Sequence, residues 1–161
     1  MADFNKSMEH LPYTKINRYE YKGIQRKFFP KFAGFDMLDR GDYETYILED
    51  LAYQFYNSYF YLKLKCNLIT NQHVADLLFL FSIANGKKKA VSKLQRILKI
   101  PVSGTMDFNT LSKLEAVEQN KLFLHLYAEI IEFYANMGNI DDMRYILPIY
   151  YKWETSYFGN A

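Results

Sequence analysis

Cysteine is nearly missing from this chain. The single thiol, Cys66, excludes an intrachain disulfide and a thiolate metal cluster. Proline is scarce as well; Pro12, Pro30, Pro101 and Pro148 each disfavour a helical residue just before them, so all four are expected at element boundaries. Glycines also fall between apolar runs, Gly23, Gly34, Gly41, Gly86, Gly104 and Gly138 among them. No apolar run is long enough to cross a bilayer. The longest, residues 74–84, is interrupted by Asp76 and Ser82, so membrane insertion is not expected. The opening Met1-Ala2-Asp3-Phe4-Asn5-Lys6 lacks the basic start and apolar core of a signal peptide, which predicts a protein cytoplasmic as synthesised, reaching the outside only in a virion or through another export system. Neither sign of charge dominates. With 20 basic against 18 acidic residues the net charge is +2, too balanced to argue for nucleic acid as a partner. The one basic run, Lys87-Lys88-Lys89, reads first as a solvated helix start and second as a contact for an anionic partner such as the phosphate of a cell-wall polymer.

Apolar residues are abundant. They make up 50% of 161 residues, which excludes a disordered chain and suffices for one domain with a sizeable core. Fifteen Tyr and thirteen Phe supply many rings; most are expected in the core, and the Tyr hydroxyls also suit sugar- or protein-binding surfaces.

The patterning is helical. Residues 43–61 place Tyr46, Ile47, Asp50, Leu51, Gln54 and Phe55 on one stripe. Asn71 is a candidate N-cap for a helix over 72–84, apolar nearly all round and therefore central. Residues 88–98 are amphipathic, with Val91, Leu94, Gln95 and Leu98 on one side. Asp107 can cap a short helix through Leu114. Residues 118–137 carry Leu122, Leu126, Ile130, Phe133 and Tyr134 on one face, with Gly138 as terminator. Asp141 can cap a last helix towards Pro148, and a short hairpin is expected between Tyr13 and Gly23.

Several segments, in order, carry a family likeness. Tyr19-Glu20-Tyr21-Lys22-Gly23-Ile24 with Arg26-Lys27-Phe28-Phe29-Pro30 and Gly34-Phe35, then Phe55-Tyr56-Asn57-Ser58-Tyr59-Phe60, then Val74-Ala75-Asp76 through Leu94-Gln95, then Val102-Ser103-Gly104-Thr105-Met106 with Thr110-Leu111, resemble glycoside hydrolase family 108. These are lysozyme-like N-acetylmuramidases with a peptidoglycan-binding-like helical segment. The resemblance implies a mainly α, lysozyme-like single domain over 1–161, with a muramidase-like body at 1–98 and a peptidoglycan-binding-like segment at 99–161. It implies peptidoglycan glycan strands as partner and no cofactor.

The family's chemistry needs a carboxylic acid to protonate the glycosidic oxygen and a second group opposite it. Its Glu-Gly-Gly-Tyr signature corresponds here to Glu9-His10-Leu11-Pro12-Tyr13, without the glycines; Glu9 fills the acid position and Glu20 stands where a Thr is usual. Leu80, Ala84 and Ser103 replace polar residues of the family cleft. Two readings follow. In the first, the scaffold has lost its acid machinery and serves as a binding or structural module, as a virion component or a peptidoglycan sensor with a protein partner. In the second it is an active endolysin-type muramidase with Glu9 as general acid, Glu20 as helper, and Tyr13, Tyr21 and Tyr59 as substrate contacts. His10, His73 and His125 show no metal-ligand spacing, so no metal is assigned. His125 with Glu129 and Glu132 superficially resembles a metal face, for which a solvated helix surface is the simpler account. The aromatic tail Tyr150-Tyr151-Lys152-Trp153 with Tyr157-Phe158 is expected either to close the core, with Trp153 in place of the family's terminal Gly-Trp, or to bind a neighbouring chain.

Overall fold

A computed structural model describes residues 1–43, 45–138, 143–144 and 146–159. It is mainly helical. The chain forms two compact units, Met1–Leu11 with Phe60–Ala161, and Pro12–Tyr59. Residues 98 and 99, the expected junction between body and following segment, both lie in the first unit.

The first unit is built round helix α4 (Gln72–Asn85), which begins where Asn71 Oδ1 accepts the Val74 N–H at 3.1 Å. Every residue from Val74 to Ser82 is buried, so the run expected to be central is central. Helices α1 (Phe4–Met8), α5 (Lys87–Ile97), α7 (Gln119–Asn136) and α8 (Leu147–Phe158) pack on it. Each large aliphatic or aromatic side chain withdrawn from water there contributes about 1.5–3 kcal/mol before entropy is counted.

Helix α5 buries Ala90, Val91, Leu94 and Gln95. Gln95 is a polar hub in this apolar face. Its Nε2 donates to Ser103 Oγ (2.9 Å), Thr105 O (3.1 Å) and Thr110 Oγ1 (2.9 Å), and its Oε1 accepts the Gly104 N–H (2.8 Å). One side chain thereby fixes the turn that leads into α6 (Phe108–Glu115), itself capped by Asp107 Oδ1 on Thr110 N at 2.7 Å.

Helix α7 starts at Glu118, whose carboxylate accepts the N–H groups of Asn120 and Lys121. Its buried face differs from expectation by one ring: Phe123 is fully buried, whereas Phe133 is half-buried and carries the Lys89 and Lys93 ammoniums 4.9 and 5.2 Å from its centroid. The expected Asp141 cap lies outside the described residues. Pro148 stands within the first turn of α8, where its missing N–H costs nothing, so it starts a helix rather than ending one. The aromatic tail closes the core through Trp153, stacked on Phe123 with centroids 5.0 Å apart and donating from Nε1 to Asn120 Oδ1 at 3.1 Å.

The second unit holds a three-stranded antiparallel sheet, β1 (Ile16–Asn17), β2 (Glu20–Tyr21) and β3 (Ile24–Gln25). Ile16 faces Tyr21, and Tyr21 faces Ile24. The second turn has positive φ at both central residues, Lys22 (44°) and Gly23 (89°), the pattern of a type I′ hairpin. A Cβ on Gly23 would stand 2.5 Å from the Tyr13 ring and 2.8 Å from the Tyr56 hydroxyl. Gly23→Ala therefore combines a left-handed penalty with a steric one, and we expect a loss of roughly 2–4 kcal/mol in urea unfolding.

Helix α2 (Gly34–Asp39) and helix α3 (Tyr46–Tyr56) complete the unit. Thr45 Oγ1 caps α3 on Leu48 N, and Leu48, Ala52 and Tyr56 are its buried residues. Of the stripe expected from the pattern, Tyr46, Ile47, Asp50 and Gln54 face water, Tyr46 being 82% exposed, while Leu51 and Phe55 are half-buried. The reason is its two polar members: Gln54 Nε2 donates to Asp50 Oδ2 at 2.6 Å, a pair content in solvent, while Tyr56 gains an internal acceptor, Lys22 O at 2.7 Å. Beyond α3 the chain widens into a π-helical segment, Asn57–Tyr61.

Candidate functional site

The sheet of the second unit borders a cleft of about 470 Å³ lined by Tyr19, Glu20, Gln25, Arg26 and Lys27. The hairpin aims these groups. Asn17 Oδ1 accepts the Tyr19 N–H at 2.8 Å, which shapes the first turn and leaves the Tyr19 ring 65% exposed at its tip. Glu20 and Gln25 face each other across β2 and β3. Glu20 is mostly covered, and Lys15 Nζ stands 3.4 Å from its Oε2. Arg26 is held rigidly: its guanidinium makes a two-pronged contact with Asp39 (3.1 and 2.8 Å), donates to Phe35 O (3.1 Å) and lies over the Phe35 ring at 4.5 Å. Lys27 sits over Phe28, itself an exposed ring. The cleft thus offers the exposed Tyr19 ring, with the Arg18 guanidinium 5.5 Å over one face, one carboxylate and two cations beside a small sheet.

Of the five residues picked from the sequence, Glu20 lines this cleft. Tyr13 packs on Gly23 beside Tyr56, and the ionised forms of Tyr13 and Glu20 add to burial in pushing the Tyr56 hydroxyl pKa upward. Tyr59 is 44% exposed and stacks flat on Phe55 at 5.3 Å, so one side of the ring is packed against protein. Tyr21 is a correction: its side chain is 1% exposed, with burial the main cause of its raised pKa, and it serves the core rather than a ligand. Its β2 position turns it to the face opposite Glu20, as alternation along a strand requires. Glu9 belongs to the other unit, at the C-terminal cap of α1. Its carboxylate is 62% exposed and accepts from Lys152 Nζ at 3.1 Å. That open, salt-bridged setting lacks the enclosed apolar surroundings in which general acids operate.

No family model matches the chain, and no curated protein does.

Tyr19, Gln25, Arg26 and Lys27 were not singled out as site residues. The two-residue turn between β1 and β2 explains the exposure of Tyr19 at its tip; Gln25 lies in β3 and Arg26 and Lys27 follow it, where no sequence signal marks them as site residues. The His125, Glu129 and Glu132 face lines a different, shallower cleft of about 310 Å³ with Arg96 and Lys99, and Lys93 Nζ engages Glu129 at 3.3 Å. Among the described residues no three His, Cys, Asp or Glu side chains are placed to hold a metal ion.

The first unit also holds a buried polar cluster. Asp76 accepts from Ser7 Oγ at 2.5 Å and Gln72 Nε2 at 2.7 Å, and its Oδ2 lies 3.4 Å from His10 Nε2. A Ser, a His and an Asp meet here, but the carboxylate sits between the other two. The hydroxyl bonds to Asp76 rather than to the imidazole, so this is not a nucleophile with its base. Nearby His73 has its pKa lowered, chiefly by burial and against the pull of Asp76, while its Nε2 meets Ser156 Oγ at 3.3 Å.

Proposed function

We propose that the protein binds peptidoglycan glycan strands without cleaving them, through the cleft beside the three-stranded sheet. The supporting observation is the exposed Tyr19 ring held next to Glu20, Gln25, Arg26 and Lys27. An open aromatic face packs on the apolar side of a sugar ring, while the carboxylate, amide and cations bond its hydroxyl, acetamido and lactyl carboxylate groups. The lysozyme-like ancestry suggested by the ordered motifs fits this substrate class, and the solvent-exposed, Lys152-paired Glu9 favours binding over hydrolysis.

Co-sedimentation with purified sacculi tests the reading. Wild type is expected in the pellet, and Tyr19→Ala should weaken retention roughly fivefold to tenfold, the equivalent of about 1–1.4 kcal/mol for a lost stacking face. Wall suspensions should keep their turbidity. If wild type clears them and Glu9→Gln does not, the muramidase reading replaces this one.

A further inference from the structure

Helix α5 and the residue pair after it, positions 87–99, contain six Lys or Arg and no Asp or Glu, so the net +2 of the chain leaves −4 on everything else. Three of these lysines occupy the first turn of α5, whose N-cap Gly86 offers no side chain and whose first turn holds no acid. Positive charge there opposes the helix dipole. Lys87 is crowded further by Lys63; burial first, and that neighbour second, lower its pKa. Lys93 is neutralised by Glu129. Lys88, Lys89, Arg96 and Lys99 are exposed and make no ion pair among the described residues. Lys88 and Arg96 lie eight residues apart on one helix, about 12 Å of axial rise. Like charges at this spacing repel one another, and an anion lying along the ridge would relieve that repulsion.

We propose that this face of α5 docks a linear polyol-phosphate polymer of the bacterial envelope. The proposal rests on the wall-binding reading above and adds a second component of the wall at a second surface. Three observations select this occupant. The aliphatic residues of α5 point inward, Val91 and Leu94 being buried, so the exposed face has no apolar wedge for a lipid surface. Its exposed side chains are cationic and none is aromatic, so it lacks the stacking platforms that single-stranded nucleic acids use. The remaining −4 disfavours a thick polyanion such as a duplex, which spreads charge beyond one helix, whereas a thin chain with one phosphodiester per repeat can follow the ridge alone.

The test uses the full chain and a variant carrying Lys88→Gln, Lys89→Gln, Arg96→Gln and Lys99→Gln, which keeps the first two methylenes of each stem, including the Lys88 Cγ against Gly104. Circular dichroism verifies the fold of the variant. Synthetic poly(glycerol phosphate) should bind wild type, lose roughly tenfold or more in affinity between about 50 and about 200 mM salt, and lose tenfold or more in the variant. Sacculi stripped of phosphate polymer should retain wild type and variant equally. Absent binding to poly(glycerol phosphate), unchanged affinity in the variant, or equal or tighter binding to a single-stranded oligonucleotide or to anionic vesicles would each overturn the proposal. Failure of both proteins to pellet with stripped sacculi counts against the glycan reading and leaves the polymer result to stand by itself.

Discussion

Asp76→Ala is expected to lower unfolding free energy by about 3–5 kcal/mol, a large share of the roughly 5–15 kcal/mol available to a domain. Asp76 projects from α4 and is 1% exposed. Its carboxylate is the common acceptor for Ser7 of α1 and Gln72 of α4, and it faces His10 just past α1. Gln72 in turn bonds the start of the chain, accepting from Asp3 N at 2.6 Å and donating to Asp3 O at 3.1 Å. Removing the carboxylate takes the short acceptor from the Ser7 hydroxyl, which keeps only Asp3 O at 3.5 Å, and leaves a buried imidazole edge unpaired, each costing about 1–3 kcal/mol. Asp76→Asn keeps the volume and one acceptor, so a smaller loss, about 1–2 kcal/mol, is expected of it. Urea unfolding of the three proteins, with hydrogen exchange at residues 4–8, measures both the energy and its location. An unchanged midpoint in Asp76→Ala would mean that the cluster does not hold α1.

Trp153→Ala should cost a comparable amount, about 3–5 kcal/mol, by leaving a large void and an unpaired Asn120 amide. Trp153 is 4% exposed and sits between rings, Phe123 on one side and Tyr157 at 5.3 Å. The neighbouring Tyr127–Tyr150 contact, centroids 5.0 Å apart, depends on the same seating of α8 on α7. A drop in Tm of roughly 6–20 °C is expected by differential scanning calorimetry for a chain of this size. Trp153→Phe, which retains a stacking ring but loses the Nε1 bond to Asn120, should fall about midway. A Trp153→Ala protein as heat-stable as wild type would show that α8 is an ornament rather than a wall of the core.

What the sequence disclosed was local. Asn71 and Asp107 sit at helix starts because their side chains bond amides three residues ahead, a relation readable without the rest of the fold. The all-round apolar character of α4 likewise announced its place. Where the answer depended on distant partners, it was hidden. Asp76 looked like an interruption in an apolar run, because the Ser7 that makes it a good interior residue is 69 positions away. The two-residue strands are too short to show alternation, so neither β3 nor the burial of Tyr21, expected as a substrate contact, is legible in the pattern. In α3 the buried face runs through Leu48, Ala52 and Tyr56 rather than the expected stripe, and the Tyr56 hydroxyl finds its acceptor at the Lys22 carbonyl, outside the helix. Glu9 could be located by motif, but the motif was silent about Lys152, 143 residues on, which occupies its carboxylate.

Gly86 is at once the last cap of α4 and the first cap of α5, with φ 89° and ψ 143°. No spacer separates the two helices, so the rotational phase of the second is dictated by the first. One extra residue at this corner would turn α5 by about 100° about its own axis. The lysine ridge would swing towards the interior while Val91 and Leu94 swung out to water. The corner therefore acts as an indexing pin, and substitutions along the ridge should be tolerated far more readily than any change in chain length at position 86.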